Sequence, residues 1–364
     1  MSASTPHAEL LDRICGVILG TAVGDALGLP REGLSRRRAA LIFGDGPLQH
    51  RLVFDRGMVS DDTEHTCLVG QALLDSSDAE EFARALAWRL RWWLLGLPAG
   101  VGLGTARAIV KLWCGFPPLH SGVWSAGNGP AMRAALLGIC LAGESQRIRQ
   151  YVRASTRMTH ADPRAETGAL LVALAAAHGA ASSVGQFNRA GYLDCFHEVI
   201  PEADDELREI CDAMKSHIER GASPREFAVW LDLEAGVTGY VYDTVPVALY
   251  CWLHWSGDFR PAVEDAIKLG GDADSMGAIV GALCGATVGA RAIPGEWLDG
   301  LAEWPRSQRW MRELASRLAE RFAAPAADRP ASSVPFFWPG QVARNVIFLG
   351  IVLFHGFRRL LPPY

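Results

Sequence analysis

Apolar residues recur along this chain at helical spacing. Leu10, Leu11, Ile14, Val17, Ile18 and Thr21 follow the i, i+3, i+4, i+7 rhythm of one buried helical face. The same rhythm predicts helices over 63–74, 79–95, 106–113, 130–142, 166–177, 204–219, 243–255, 275–288 and 307–322. Runs that alternate apolar and polar residues between tight turns are missing, and so is βαβ spacing. Breakers such as Gly115–Pro117–Pro118, Gly257–Asp258 and Pro294–Gly295 fall between the predicted helices. The pattern therefore predicts an all-α protein. Trp88, Trp92 and Trp93 stand at helical spacing and are expected in its core.

The clearest linker is Ala323–Pro335, rich in Ala, Pro and Ser. We accordingly expect one domain over 1–322 and an appended linker and apolar helical tail over 323–364. The tail's longest apolar run, Val346–Phe354, is nine residues, against about 18 for a bilayer span. A helix packed back onto the main body is the expectation. An amphipathic membrane or partner helix, ending at Arg358–Arg359, is the alternative.

Composition narrows the class. With 364 residues, 49% apolar and 21% charged, the chain can bury a sizeable core, which excludes a disordered or disulfide-stapled protein. Acidic residues outnumber basic ones by 40 to 35, so no basic footprint for nucleic acid is expected. The eight cysteines form no CxxC pair and sit mostly in apolar stretches, as small hydrophobes in a reducing compartment. The N-terminus lacks the basic and apolar regions of a signal peptide, so a cytoplasmic address is expected.

Two clusters carry candidate chemistry. Ser60-Asp61-Asp62-Thr63-Glu64 and Asp272-Ala273-Asp274-Ser275 each stand at a predicted helix start. Capping alone would explain the first, with Ser60 or Asp61 as N-cap and Asp61 with Glu64 mimicking a capping box. It would explain Asp274 or Ser275 in the second, but leave Asp272 without a task. If the two starts meet, four carboxylates and two hydroxyls converge. Such a group needs a cation, and oxygen-only ligation suits Mg²⁺, Mn²⁺ or Ca²⁺. GVGLGT at 100–105 fails the GxGxxG pattern, although Gly100, Gly102 and Gly104 let a ligand approach backbone N–H groups.

Six segments in order resemble the ADP-ribosylglycohydrolase family, across about residues 10–320. They are GTAVGDALGLPREG at 20–33, MVSDDTEHT at 58–66, GNGPAMRAALLG at 127–138, STRMTHADPRA at 155–165, GYVYDTVPVALY at 239–250 and AIKLGGDADSMGAIVGALCGA at 266–286. The resemblance implies an all-α orthogonal bundle with a central two-metal cleft. Ser60, Asp61, Asp62, Asp272, Asp274 and Ser275 would hold two Mg²⁺ or Mn²⁺ ions. Asp62, Glu32 and Asp61 would be catalytic, with Glu32 on a mobile loop. Gly100, Gly102, Gly104, Asn128, Gly129, Met132 and His160 would bind ribose and diphosphate, and Tyr240 or Tyr242 would stack on adenine. The implied reaction is hydrolysis of an N- or O-glycosidic bond between ADP-ribose and a protein or small-molecule acceptor. Nucleic acid enters only as such an acceptor. Two departures stand out: Lys268 replaces an asparagine before LGGD, and GVGLG lacks the aspartate of arginine-directed members, which leaves the linkage open. The alternatives are a non-catalytic ADP-ribose-binding or crystallin-like member, and a two-metal phosphoesterase.

Overall fold

The computed structural model describes residues 6–182, 187, 189–194, 204–323 and 330–359. Among them the chain forms seventeen helices and one pair of two-residue strands, as an all-α pattern requires. The first eight are α1 (Pro6–Gly28), α2 (Arg36–Phe43), α3 (Asp61–Leu74), α4 (Ala79–Leu95), α5 (Leu103–Trp113), α6 (Ala135–Cys140), α7 (Ser145–Arg157) and α8 (Pro163–Ala181). Then come α9 (Arg189–Asp194), α10 (Asp205–Glu219), α11 (Pro224–Trp230), α12 (Val241–His254) and α13 (Phe259–Lys268). The last four are α14 (Ala273–Val288), α15 (Gly295–Asp299), α16 (Gln308–Ala323) and α17 (Trp338–Arg358).

Antiparallel helices α1 and α14 form the centre and are buried along most of their length. Gly16, Gly20, Gly24 and Gly28 of α1 face Gly285, Gly281, Gly277 and Ala273 of α14, one pair per helical turn. A Cβ on any of these α1 glycines would overlap the backbone opposite, so the two backbones touch. Arg13 of α1 also donates to the carbonyls of Ala286 (3.0 Å) and Thr287 (3.1 Å), placing a cation at the C-terminus of α14. This glycine ladder escapes a hydrophobicity count, because its residues are neither strongly apolar nor polar.

Several helices differ from their expected spans. Helices α3, α5, α8, α12 and α14 start two or three residues before their expected first residue. The 130–142 stretch breaks into a short 3-10 turn at Ala131–Arg133 and then α6. Trp93 is buried, but Trp88 and Trp92 are exposed, so only one of the three joins the core. Glu64 forms no capping box. It is buried and receives Trp93 Nε1 (2.5 Å), Arg306 Nη1 (3.2 Å) and the Gln341 side-chain amide. The seven described cysteines are free thiols, six of them buried; Cys195 lies outside the described residues.

Close packing makes a direct test. Gly24→Ala drives a methyl into the Gly277 carbonyl and should destabilise the protein by about 3 kcal/mol. Gly350→Ala, on an open face of α17, should be neutral or stabilise by up to about 1 kcal/mol. Urea titration of the two variants checks the contrast, and equal loss in both would refute the ladder.

Candidate active site

The site forms where the N-terminal ends of α3 and α14 meet. Asp25 of α1 lies against the start of α3, with no exposed surface. Its carboxylate accepts from the Ser60 amide (2.9 and 3.0 Å), the Thr63 amide (3.2 Å) and the Thr63 hydroxyl (2.5 Å). The helix's unpaired N–H groups are thus satisfied from another helix. Burial raises the Asp25 pKa to about 7, against the pull of these bonds. Asp25 escaped the sequence reading, although a lone carboxylate on the buried face of α1 was the available signal.

Ser60 is the N-cap of α3, accepting from the Asp62 amide. Its hydroxyl donates to Asp62 Oδ2 at 3.1 Å, and the Ser275 hydroxyl donates to the same oxygen at 3.3 Å. These bonds join the two clusters across 213 positions of sequence. In the second cluster the N-cap of α14 is Asp272, without a side-chain cap bond, instead of Asp274 or Ser275. Asn128 Nδ2 donates to Asp272 Oδ2 (2.6 Å) and to the Thr244 hydroxyl (3.0 Å).

Strands β1 (Leu34–Ser35) and β2 (Gly270–Gly271) pair antiparallel, Leu34 opposite Gly271. Gly270 and Gly271 both have φ +80°, and a side chain at either would strike the neighbouring backbone. The Asp272 amide continues the contact by donating to the Val237 carbonyl (2.8 Å). This pairing brings the Glu32 loop beside Asp272.

Glu32, Asp61, Asp62, Asp272, Asp274 and Ser275 thereby line one cleft of about 510 Å³. Removal from water raises the Asp61, Asp62 and Asp274 carboxyls well above their ordinary range, and neighbouring carboxylates raise them further. Glu32 is an exposed residue at the rim. Its carboxyl is still pushed up, by partial loss of water first and Asp272 second, with Arg359 opposing. Asp62 Oδ1 and Asp274 Oδ1 are buried without a hydrogen-bond partner. Among the described residues, no three His, Cys, Asp or Glu side chains already stand together as a ligand set for a metal ion. What the cleft offers is hard oxygen donors, two of them unanswered.

The same cleft is lined by Gly100, Gly102, Gly104, Asn128, Gly129, Met132 and His160. Gly102 is the N-cap of α5, so the loop ends on free helix amides. Burial, with Arg133 adding repulsion, lowers the His160 pKa to about 3 and keeps the ring neutral. Thr159 Oγ1 lies 2.9 Å from His160 Nδ1 and accepts from Arg133 Nη2 at 2.8 Å. With the Thr159 hydroxyl donating to Nδ1, the neutral ring carries its one proton on Nε2, beside Gly127 and Gly129. Arg133, fully buried and not singled out in the sequence, thus orients a cleft residue through Thr159.

Tyr240 and Tyr242 require a correction, because neither ring lines the cleft. Tyr240 hydroxyl bonds to Glu206 (2.9 Å) and Arg164 (3.2 Å), while Tyr242 is buried with its hydroxyl on Asp204. Tyr240 is the N-cap of α12 and Tyr242 lies in its first turn, with the two rings 5.7 Å apart. Lys268 points away from the carboxylates and pairs with Glu264 at 2.7 Å.

Comparison with known proteins places the chain in a family. An uncharacterized protein of Archaeoglobus fulgidus is 32% identical over 316 residues, 83% of this chain and 94% of its own. The ADP-ribosyl-[dinitrogen reductase] glycohydrolase of Rhodospirillum rubrum is 28% identical, over 80% of this chain and 90% of its own. A solved ADP-ribosylglycohydrolase-related protein complex superposes with a TM-score of 0.63 at 26% identity, covering 86% of this chain and 98% of that one. The ADP-ribosylglycohydrolase family matches residues 6–328, and this chain belongs to it.

Proposed function

We propose that the cleft hydrolyses the glycosidic bond between ADP-ribose and an acceptor, releasing ADP-ribose with the aid of two Mg²⁺ or Mn²⁺ ions. The observation that carries this reading is the meeting of two acidic helix starts in one cleft, with a carboxylate oxygen of each left unpartnered. Ser60, Asp61, Asp62, Asp272, Asp274 and Ser275 fit such ions, since all six offer hard oxygen. Bound there, the cations would offset the crowded negative charge, polarise ribose hydroxyls and lower the pKa of a water.

The chain's own residues account for the rest. The Gly100–Gly104 loop and His160 Nε2–H offer neutral donors to a diphosphate, while Asn128 holds Asp272 in one orientation. Asp62 is tethered by two hydroxyls, so Glu32 at the rim is the freer carboxyl for proton transfer. Its raised pKa makes it a better proton acceptor than an ordinary carboxylate, as suits a group that takes a proton from water or gives one to the leaving acceptor. The bond broken joins the distal ribose C1 to the acceptor, through an oxocarbenium-like state.

Incubation with ADP-ribosyl-arginine and ADP-ribosyl-serine peptides, with Mg²⁺ or with EDTA, tests the reaction. Metal-dependent release of ADP-ribose from either supports it. Release of AMP would favour a phosphoesterase, and metal binding without turnover a binding protein. Asp61→Asn and Asp274→Asn should each lower kcat/KM by about a hundredfold or more. Asn128→Ala should weaken metal affinity by about 10–100-fold with the fold intact, as measured by titration calorimetry.

The raised carboxyl pKa values also predict a pH dependence. Groups protonated more readily in the folded state stabilise it below their unfolded pKa, and that contribution is lost as pH rises through the folded value. Thermal melts of EDTA-treated protein should therefore fall between about pH 4 and pH 7, the interval set by Asp25. Added Mg²⁺ or Mn²⁺ should raise the melting temperature more at the upper end. A metal-free melt independent of pH there would contradict the crowding.

A further inference from the structure

Helix α17 carries apolar side chains on both faces. Its inward face is mixed: Gln341, Arg344 and Asn345 are buried beside Phe348, with Ile351 and Val352 half-buried against the same small core. Gln341 reaches Glu64, Arg344 Nη2 meets Glu303 at 2.7 Å, and Asn345 Nδ2 meets the Gly96 carbonyl at 2.8 Å. Further along, His355 bonds the Leu52 carbonyl at 2.7 Å. Its outward face carries Val346, Ile347, Leu349, Leu353, Phe354 and Phe357, with Ile347, Phe354 and Phe357 exposed by 63%, 64% and 68%. These positions form one stripe at helical spacing, turned away from the body. A helix on a water-facing surface turns polar residues outward instead.

We propose that this stripe docks on an anionic lipid surface, with α17 lying in the interface. Length and composition alone would let Trp338–Arg358 cross a membrane. Crossing would strip Arg344 from Glu303 and Gln341 from Glu64, leaving buried charges unpaired. Lying flat keeps every one of those bonds and buries only the apolar stripe. Basic side chains mark the helix's C-terminal end. Arg358 is exposed there, and Arg38 of the Arg36–Arg38 run donates to the Arg359 carbonyl (2.9 Å). A groove beside the stripe carries Arg51 and the 95% exposed ring of Phe54. Asp55, the acidic residue lining it, is paired with Arg51 at 3.3 Å. At the other end Trp338 packs edge-on against Trp92, which also meets Trp88 and Trp113. Amphipathic indoles of this kind favour the headgroup level. A second copy is a poorer occupant. An isologous contact would set arginines against a helix that contains no Asp or Glu.

Flotation of the full chain with phosphatidylcholine vesicles, with and without phosphatidylglycerol, tests this. The chain should float with the anionic vesicles and be released by high salt. Phe354→Ser with Phe357→Ser should lower the bound fraction about tenfold or more, and Ile347→Asn should weaken it independently. Cleavage of soluble substrate should be unchanged in both, which separates lost docking from lost folding. Absence of flotation with either vesicle overturns the proposal, and equal flotation with both overturns the anionic headgroup. A wild-type dimer made monomeric by the Phe354/Phe357 variant overturns it in favour of self-association.

Discussion

Backbone contact between α1 and α14 governs this molecule. Glycine at every fourth position of both helices lets them approach until carbonyls touch the opposite Cα, closer than the 8–10 Å of ordinary helix pairs. Asp25 follows Gly24 on one helix, and Asp274 and Ser275 precede Gly277 on the other. Bringing the helices together therefore sets how near those oxygens lie. Asp25 then locates α3 by occupying its amide end, and α3 carries Ser60, Asp61 and Asp62. One close contact thus places both halves of the site.

The resulting arrangement stores electrostatic cost. Several carboxylates share a cleft, and their pKa values rise because water is excluded and like charges face one another. Helix amides and hydroxyls offset part of that cost at Asp25 and at Asp62 Oδ2. Two carboxylate oxygens receive nothing from the protein. The proposed chemistry and the pH behaviour rest on these same groups.

The C-terminal segment contributes to the same assembly. Gln341 reaches Glu64 one turn along α3 from Asp61, and Arg359 donates to the carbonyls of Pro30 (2.7 Å) and Glu32 (2.8 Å). Residues beyond the family match at 328 therefore touch both the helix and the loop that line the cleft. The hydrogen bonds of 338–359 hold the tail helix against the main body, as a helix packed back across the 323–335 linker would be. Polar residues at helical spacing on an apolar helix, Gln341, Arg344 and Asn345, were the available hint.

By itself the sequence determined the helical class, the acidic helix starts and the six ordered segments, because these depend on local spacing and residue type. It also placed the Gly100–Gly104 loop, Asn128, Gly129, Met132 and His160 on the cleft through their likeness to a known pattern. Tertiary structure decided the remainder. Tyr240 and Tyr242 are adjacent in pattern, yet only the neighbours supplied by α8 and α10 turn both away from the cleft. The roles of Asp25, Glu64 and Arg133 depend on partners 22 to 277 positions distant, which no local rhythm encodes. Capping and cation binding ask for the same residues at a helix start. Only tertiary structure brings two such starts together, and their convergence creates an excess of charge that capping cannot use.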